Sequence, residues 1–91
     1  MFLHLGQDTV ILTDEIIGIF DLDTTTVSKT TRDYLTKMEK SGKVINVSSD
    51  LPKSFILVRN KKTGDKKIYI SPISTQTILK RIENINYLVQ N

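Results

Sequence analysis

A chain of 91 residues has room for one hydrophobic core, so a single domain over residues 1–91 is expected. The absence of cysteine excludes disulfides, thiol nucleophiles and cysteine-based zinc sites, and no segment approaches the ~20 apolar residues that span a bilayer. The formal charge of +3 is unevenly placed: residues 1–28 hold five acids and no base, for −5, while residues 29–91 hold all thirteen bases and five acids, for +8.

This division suggests an acidic side and a basic side, provided the fold keeps the two segments apart. A pI near 9.3 favours polyanionic partners. The N-terminus shows neither the basic region nor the sustained apolar run of a signal peptide, so a soluble, cytoplasmic protein is expected. A domain this small buries only roughly 60–65% of its unfolded surface, and self-association is a common remedy.

Three apolar bursts open the chain: Phe2 to Leu5, Val10 to Leu12, and Ile16 to Leu22. The turn material Gly6-Gln7-Asp8 and Thr13-Asp14-Glu15 separates them, which reads as strand, turn, strand. Asp23-Thr24-Thr25-Thr26 is poor helix-forming material rich in capping hydroxyls. An amphipathic helix is predicted from about Val27 to Ser41. At about 100° per residue, Val27, Thr31, Tyr34, Leu35 and Met38 gather on one side, with Lys29, Arg32, Thr36 and Lys40 opposite. Gly42 suits the C′ position, and Lys37, Lys40 and Lys43 lie where the helix dipole favours positive charge.

Val44 to Val47 reads as a short strand and Ser48 to Lys53 as a loop. The continuous apolar run Phe55 to Val58 suits a central strand. Lys61-Lys62-Thr63-Gly64-Asp65 makes a hairpin turn, with Lys66 to Ser71 as the returning strand. Pro72 breaks that strand, and Ser74 or Thr75 can cap a second helix with Ile78, Leu79, Ile82 and Ile85 as its apolar stripe. Lys80, Arg81 and Glu83 face away. Residues 86–91 either continue the helix or fray. The order, approximately β-β-β-α-β-β-β-α, predicts an α+β domain with a small, mostly antiparallel sheet and two helices against one face.

His4 is the sole histidine; alternating with Leu3 and Leu5 on a strand, and without partners, it reads as a structural or surface residue rather than a ligand. Asp8, Asp14, Glu15, Asp21 and Asp23 invite comparison with a magnesium site or an acid/base pair, and Asp21 and Asp23 would point the same way on a continued strand. No glycine-rich phosphate loop or activating lysine accompanies them. A solvated acidic rim fits better, with Asp8, Asp14 and Glu15 able to dock on a neighbour's basic surface. With no nucleophile–base pair and no cofactor motif, neither catalysis nor a cofactor or metal is expected.

The basic hairpin is the main functional candidate. Arg59, Lys61, Lys62, Lys66 and Lys67 fall within nine residues, and lysine ammoniums neutralise phosphates without reading bases. The alternative is an edge hairpin kept soluble by its lysines. Lys53 in the preceding loop, with Lys29 and Arg32 on the first helix, forms a second set of candidates. Zinc-finger spacing, aromatic RNA-binding motifs and a helix-turn-helix are all missing.

His4-Leu5-Gly6, the Val10-Ile11 strand and the block Asp14-Glu15-Ile16-Ile17-Gly18-Ile19-Phe20-Asp21 together resemble the bacterial extracellular-matrix regulator family (RemA/RemB-like), and most of all its RemB-like branch. The likeness runs from Phe2 to Ser48 and more loosely to Glu83. It implies a small DNA-associated regulator of transcription for biofilm-matrix genes, working as a homo-oligomer, with a ring as the expected form. Such an assembly would present a repeated basic surface to double-stranded DNA, so that weak contacts per subunit add up. The family's activator branch carries an arginine just before the Ile-Ile segment and an arginine pair in the loop after the fourth strand. Glu15 and Leu51-Pro52 stand in those places here, so contacts credited to those arginines do not carry over. A second reading stays open: a protein-interaction module whose acidic and basic faces serve assembly without DNA.

Overall fold

The apolar bursts of the N-terminal quarter become three strands. The computed structural model describes residues 1–6, 8–25 and 28–90, with the side chains of 24–25 and 85–90 excepted. Strand β1 (Phe2–His4) pairs antiparallel with β2 (Val10–Leu12), Leu3 opposite Ile11. The period-2 alternation buries Leu3 and Ile11 and leaves Phe2, His4, Val10 and Leu12 exposed on the outer face. A single 3-10 turn, Thr13–Glu15, leads into β3 (Ile16–Asp21) and is tied back by the Thr13 N–H, which donates to the Met1 carbonyl at 2.9 Å.

Asp21 ends β3. Its Oδ1 accepts the Asp23 backbone N–H at 2.7 Å, a local bond that competes with strand continuation. Asp21 and Asp23 therefore do not share a strand face, contrary to the expectation from their spacing. Residues Leu22–Thr25 form the one-turn helix α1 where propensity predicted a non-helical connection. Tertiary contacts override propensity here: Leu22 packs into the core and its N–H donates to the Lys53 carbonyl at 3.1 Å.

Helix α2 spans Lys29–Lys40; Val27, placed at the start of its apolar stripe, lies outside the described residues. Met38 is buried, Thr31 and Leu35 are half-buried, and Tyr34 sits at the boundary of exposure. The helix stops at Gly42, whose φ of 71° only glycine adopts readily. The Lys43 N–H donates to Met38 and the Gly42 N–H to Glu39, both at 3.0 Å, which is the Schellman arrangement.

Strands β4 (Val44–Asn46), β5 (Ser54–Arg59) and β6 (Lys66–Ser71) join β3 in a four-stranded sheet ordered β3-β5-β6-β4. The β3–β5 and β5–β6 pairs are antiparallel, while β4 runs parallel to β6. That parallel pair follows from α2, which carries the chain from the β3 edge to the β4 edge, so that β4 enters in the same direction as β3.

Strand β5 is apolar on both faces and needs cover on both. Phe55 and Leu57 face the α2 side, packed with Phe20, Leu22, Leu35, Met38 and Ile68. Ile56 and Val58 face the other way, against Leu3, Leu5, Ile11 and Ile78. The β1–β2 hairpin and helix α3 (Thr75–Gln90) thus cover one face and α2 the opposite one, which corrects the expectation of both helices on one face. Phe20 and Phe55, direct cross-strand neighbours, stack with ring centroids 4.8 Å apart.

Ser74 caps α3, its Oγ accepting the Thr77 N–H at 3.3 Å. The helix continues through residues 86–90, and Asn91 lies outside the described residues. Ile78 is fully buried and Ile82 half-buried, but Leu79 is 49% exposed and does not belong to the stripe; the side chain of Ile85 is not described. No helix among the described residues is long and apolar enough to cross a membrane.

Candidate nucleic-acid interface

The basic turn joins β5 and β6, the two inner strands of the sheet. The ladders stop short of the turn, however: β4 pairs with β6 only from Ile68 to Ile70 and β3 reaches β5 only as far as Val58, so at Arg59, Lys66 and Lys67 the outer side of the hairpin carries no strand and the reading of lysines guarding an edge stays open. Only the turn projects. It is organised by its own polar side chains: Asn60 Oδ1 accepts the N–H groups of Lys62 (2.8 Å) and Thr63 (3.0 Å), and Thr63 Oγ1 accepts that of Asp65 at 3.2 Å. The Asn60 N–H donates to Asp65 and the Gly64 N–H to Asn60, both at 2.8 Å, and Gly64 adopts a φ of 77°.

Arg59, Lys61, Lys62, Lys66 and Lys67 are all exposed. The sheet pleat divides them. Arg59 lies directly opposite Lys66, on the face shared with Leu57 and Ile68. Lys67 lies opposite Val58 on the other face, lining a cleft of about 290 Å³ with Tyr69, Thr63 and Glu15. The Arg59 guanidinium also lies beside the Gly64 backbone, where an added Cβ would meet Nη2 at 3.8 Å.

Two acids reach this turn. The Lys61 backbone N–H donates to Glu15 Oε2 at 3.1 Å, and the Lys61 ammonium pairs with Asp14 Oδ2 at 3.3 Å. Both partners of the ion pair are more than 60% exposed, so it contributes only about 0.2–1 kcal/mol. Asp14 and Glu15 thus close on the chain's own basic turn, and the acidic and basic segments are not kept apart as the charge division suggested. Asp8 sits elsewhere, exposed in the turn between β1 and β2. These contacts link residues 46 and 47 positions apart, beyond the reach of local pattern.

The remaining predicted bases do not join the cluster. Lys53 precedes the start of β5, at the end of the strand away from the turn, roughly 20 Å off by strand rise. Its side chain is exposed and its backbone N–H donates to Ser71 at 2.9 Å. Lys29 pairs with Asp33 across one turn of α2 at 3.2 Å, and Arg32 lies exposed on the same helix. His4 is exposed on β1, and its carbonyl accepts a hydrogen bond from Arg81 Nη1 at 3.1 Å. Among the described residues no group of three or more His, Asp or Glu side chains is placed to hold a metal ion.

A small mixed sheet clad on both faces, with five of its thirteen bases gathered at one hairpin end, defines a compact α+β class of protein. Within that class the chain belongs to the family described as extracellular matrix regulatory protein A-like, whose pattern matches residues 2–82. The match takes in every strand and the whole of the basic turn. The chain is also similar to extracellular matrix regulatory protein B of Bacillus subtilis (strain 168), with 36% identity over 84 residues covering 91% of each protein.

Proposed function

We propose that this protein is a cytoplasmic, DNA-binding regulator of transcription for extracellular-matrix (biofilm) genes, acting as a homo-oligomer and not as an enzyme. Its family description and its relative's name both specify extracellular-matrix regulation. The observation that carries the DNA reading is the turn itself: Lys61 and Lys62 project beyond two inner strands, with Arg59, Lys66 and Lys67 behind them. Bases gathered on a projecting turn suit contact with a phosphate backbone. Lys53, Lys29 and Arg32 would meet DNA only where neighbouring subunits present other surfaces to it.

Self-association suits a chain of this size, which buries only a modest share of its surface alone, and whose β1–β2 hairpin leaves Phe2, Val10 and Leu12 exposed. A homo-oligomer repeats the basic turn, and binding then grows by avidity rather than by the strength of any single contact.

The test is duplex binding by the purified protein across a salt series. Each phosphate neutralised adds about 0.9 to the slope of log affinity against log salt, so an oligomer should show a slope several units steep. No binding even at low salt overturns the reading. A second reading, an assembly module that uses its charges on protein partners, is favoured by the closure of Asp14 and Glu15 on Lys61. Under that reading, reversing Lys61, Lys62, Lys66 and Lys67 to glutamate weakens the oligomer itself.

A further inference from the structure

We propose that the Asp14–Glu15 turn is an internal occupant of the basic turn's anion site, which a DNA phosphate must displace; the proposal rests on the DNA-binding reading above. The antiparallel register sets up the contact. Ile16 pairs with Val58, so residues 15 and 14 come level with the start of the β5–β6 turn. The 3-10 turn holds them there, anchored by the Thr13 backbone N–H and hydroxyl, which both donate to the Met1 carbonyl. Asp14, Glu15, Arg59 and Lys61 then line one cleft of about 350 Å³.

The chemistry of the exchange is like for like. Glu15 presents two carboxylate oxygens and one negative charge, and it accepts the Lys61 backbone N–H at 3.1 Å. A phosphodiester presents two non-bridging oxygens and the same charge. It can take the same N–H and the Lys61 ammonium now engaged by Asp14, while Arg59 in the same cleft offers a planar guanidinium fork suited to phosphate. Because the existing ion pair is exposed and therefore weak, the acids raise the threshold for DNA without closing the site. Binding that needs several subunits at once would then be favoured over contact by a single one.

The experiment compares duplex affinity of the unaltered protein with that of the Asp14→Asn/Glu15→Gln variant. An Glu39→Gln/Glu83→Gln variant, with the same change of charge at exposed positions on α2 and α3, controls for long-range electrostatics. The Asp14/Glu15 variant is expected to bind about three- to tenfold more tightly than that control. Equal affinities for the two variants, with the unaltered protein binding normally, overturn the proposal and leave the DNA reading standing. Binding by the Asp14/Glu15 variant alone supports the proposal, and binding by neither variant nor the unaltered protein removes both readings. Asp14→Asn by itself touches no backbone contact and serves if the double variant fails to fold. In the unaltered protein, saturating duplex should also shift the Lys61 amide resonance; an unmoved Lys61 amide counts against displacement.

Discussion

Ser71 lies at the end of β6, fully buried, with its Oγ donating to the Leu5 carbonyl at 3.3 Å and accepting the Ile73 N–H at 3.1 Å. Its strand partner Ser54, equally buried, donates to the Ile73 carbonyl at 2.6 Å. These hydroxyls fasten the N-terminal hairpin and the approach to α3 to one end of the sheet. Ser71→Ala leaves the buried Leu5 carbonyl and the half-buried Ile73 N–H without that partner and is expected to cost about 1–3 kcal/mol. Thermal unfolding would show this as a fall in Tm of roughly 5–15 °C, and an unchanged Tm would sink the account. Gly64 poses a different residue-scale question. Its φ of 77° costs an L-residue roughly 1–2 kcal/mol, so Gly64→Ala should lower stability by about that amount in a denaturant titration. The Gly64 turn is legible in the sequence because Thr-Gly-Asp between two strand-like runs calls for it. The serine clasp is not, since its partners stand 19 and 66 positions away.

Strand β5 is the element on which both halves of the core converge. Ile56 is fully buried against Leu3, Leu5 and Ile78, whereas Leu57 is half-buried beneath the N-terminal part of α2 beside an open groove. Ile56→Ala is therefore expected to cost about 2–5 kcal/mol, and Leu57→Ala clearly less; chemical denaturation of the two variants side by side checks the order. The β5–β6 hairpin makes a separable prediction. Reversing Lys61, Lys62, Lys66 and Lys67 to glutamate changes only exposed side chains, two in the turn and two at the start of β6. Far-UV circular dichroism should be unaltered and duplex binding abolished; loss of the folded spectrum would mean the lysines are structural. Most of these elements could be read from period and punctuation, as with the Phe55–Val58 run and the Gly42 stop. Helix α1 and the exposure of Leu79 could not, because one depends on Leu22 packing and the other on which side of α3 meets the sheet.

At the scale of the whole molecule, the outer face of the β1–β2 hairpin leaves apolar side chains partly uncovered. Phe2 (64% exposed) and Leu12 (38%) are cross-strand partners, and Val10 (42%) stands beside them. Serine at Phe2 would remove a largely exposed ring, so unfolding of the dissociated chain should change by less than about 0.5 kcal/mol. If this face takes part in self-association, sedimentation at matched concentrations will show a smaller assembly, and an unchanged mass places the interface elsewhere. The unaltered protein should in addition gain Tm as its concentration rises, because association stabilises the folded state by mass action. A Tm independent of concentration would argue for a monomer.

Taken alone, the sequence determined the α+β class, the main strands and helices, the helix stop at Gly42, the Ser74 cap and the basic hairpin. Those features rest on periodicity, turn chemistry and charge within about a dozen consecutive residues, which a chain displays before it folds. Its resemblance to the matrix-regulator family was legible as well, in the block from His4 to Asp21. Only the tertiary structure decided that α2 and α3 lie on opposite faces, that β4 runs parallel to β6, and that the hairpin strands are internal. It alone also brought Glu15 and Asp14 onto Lys61, across 46 and 47 positions of chain. Each of these depends on which strand lies beside which and in what register, and strand pairing is set by burying both faces of β5 at once, a constraint no local segment contains.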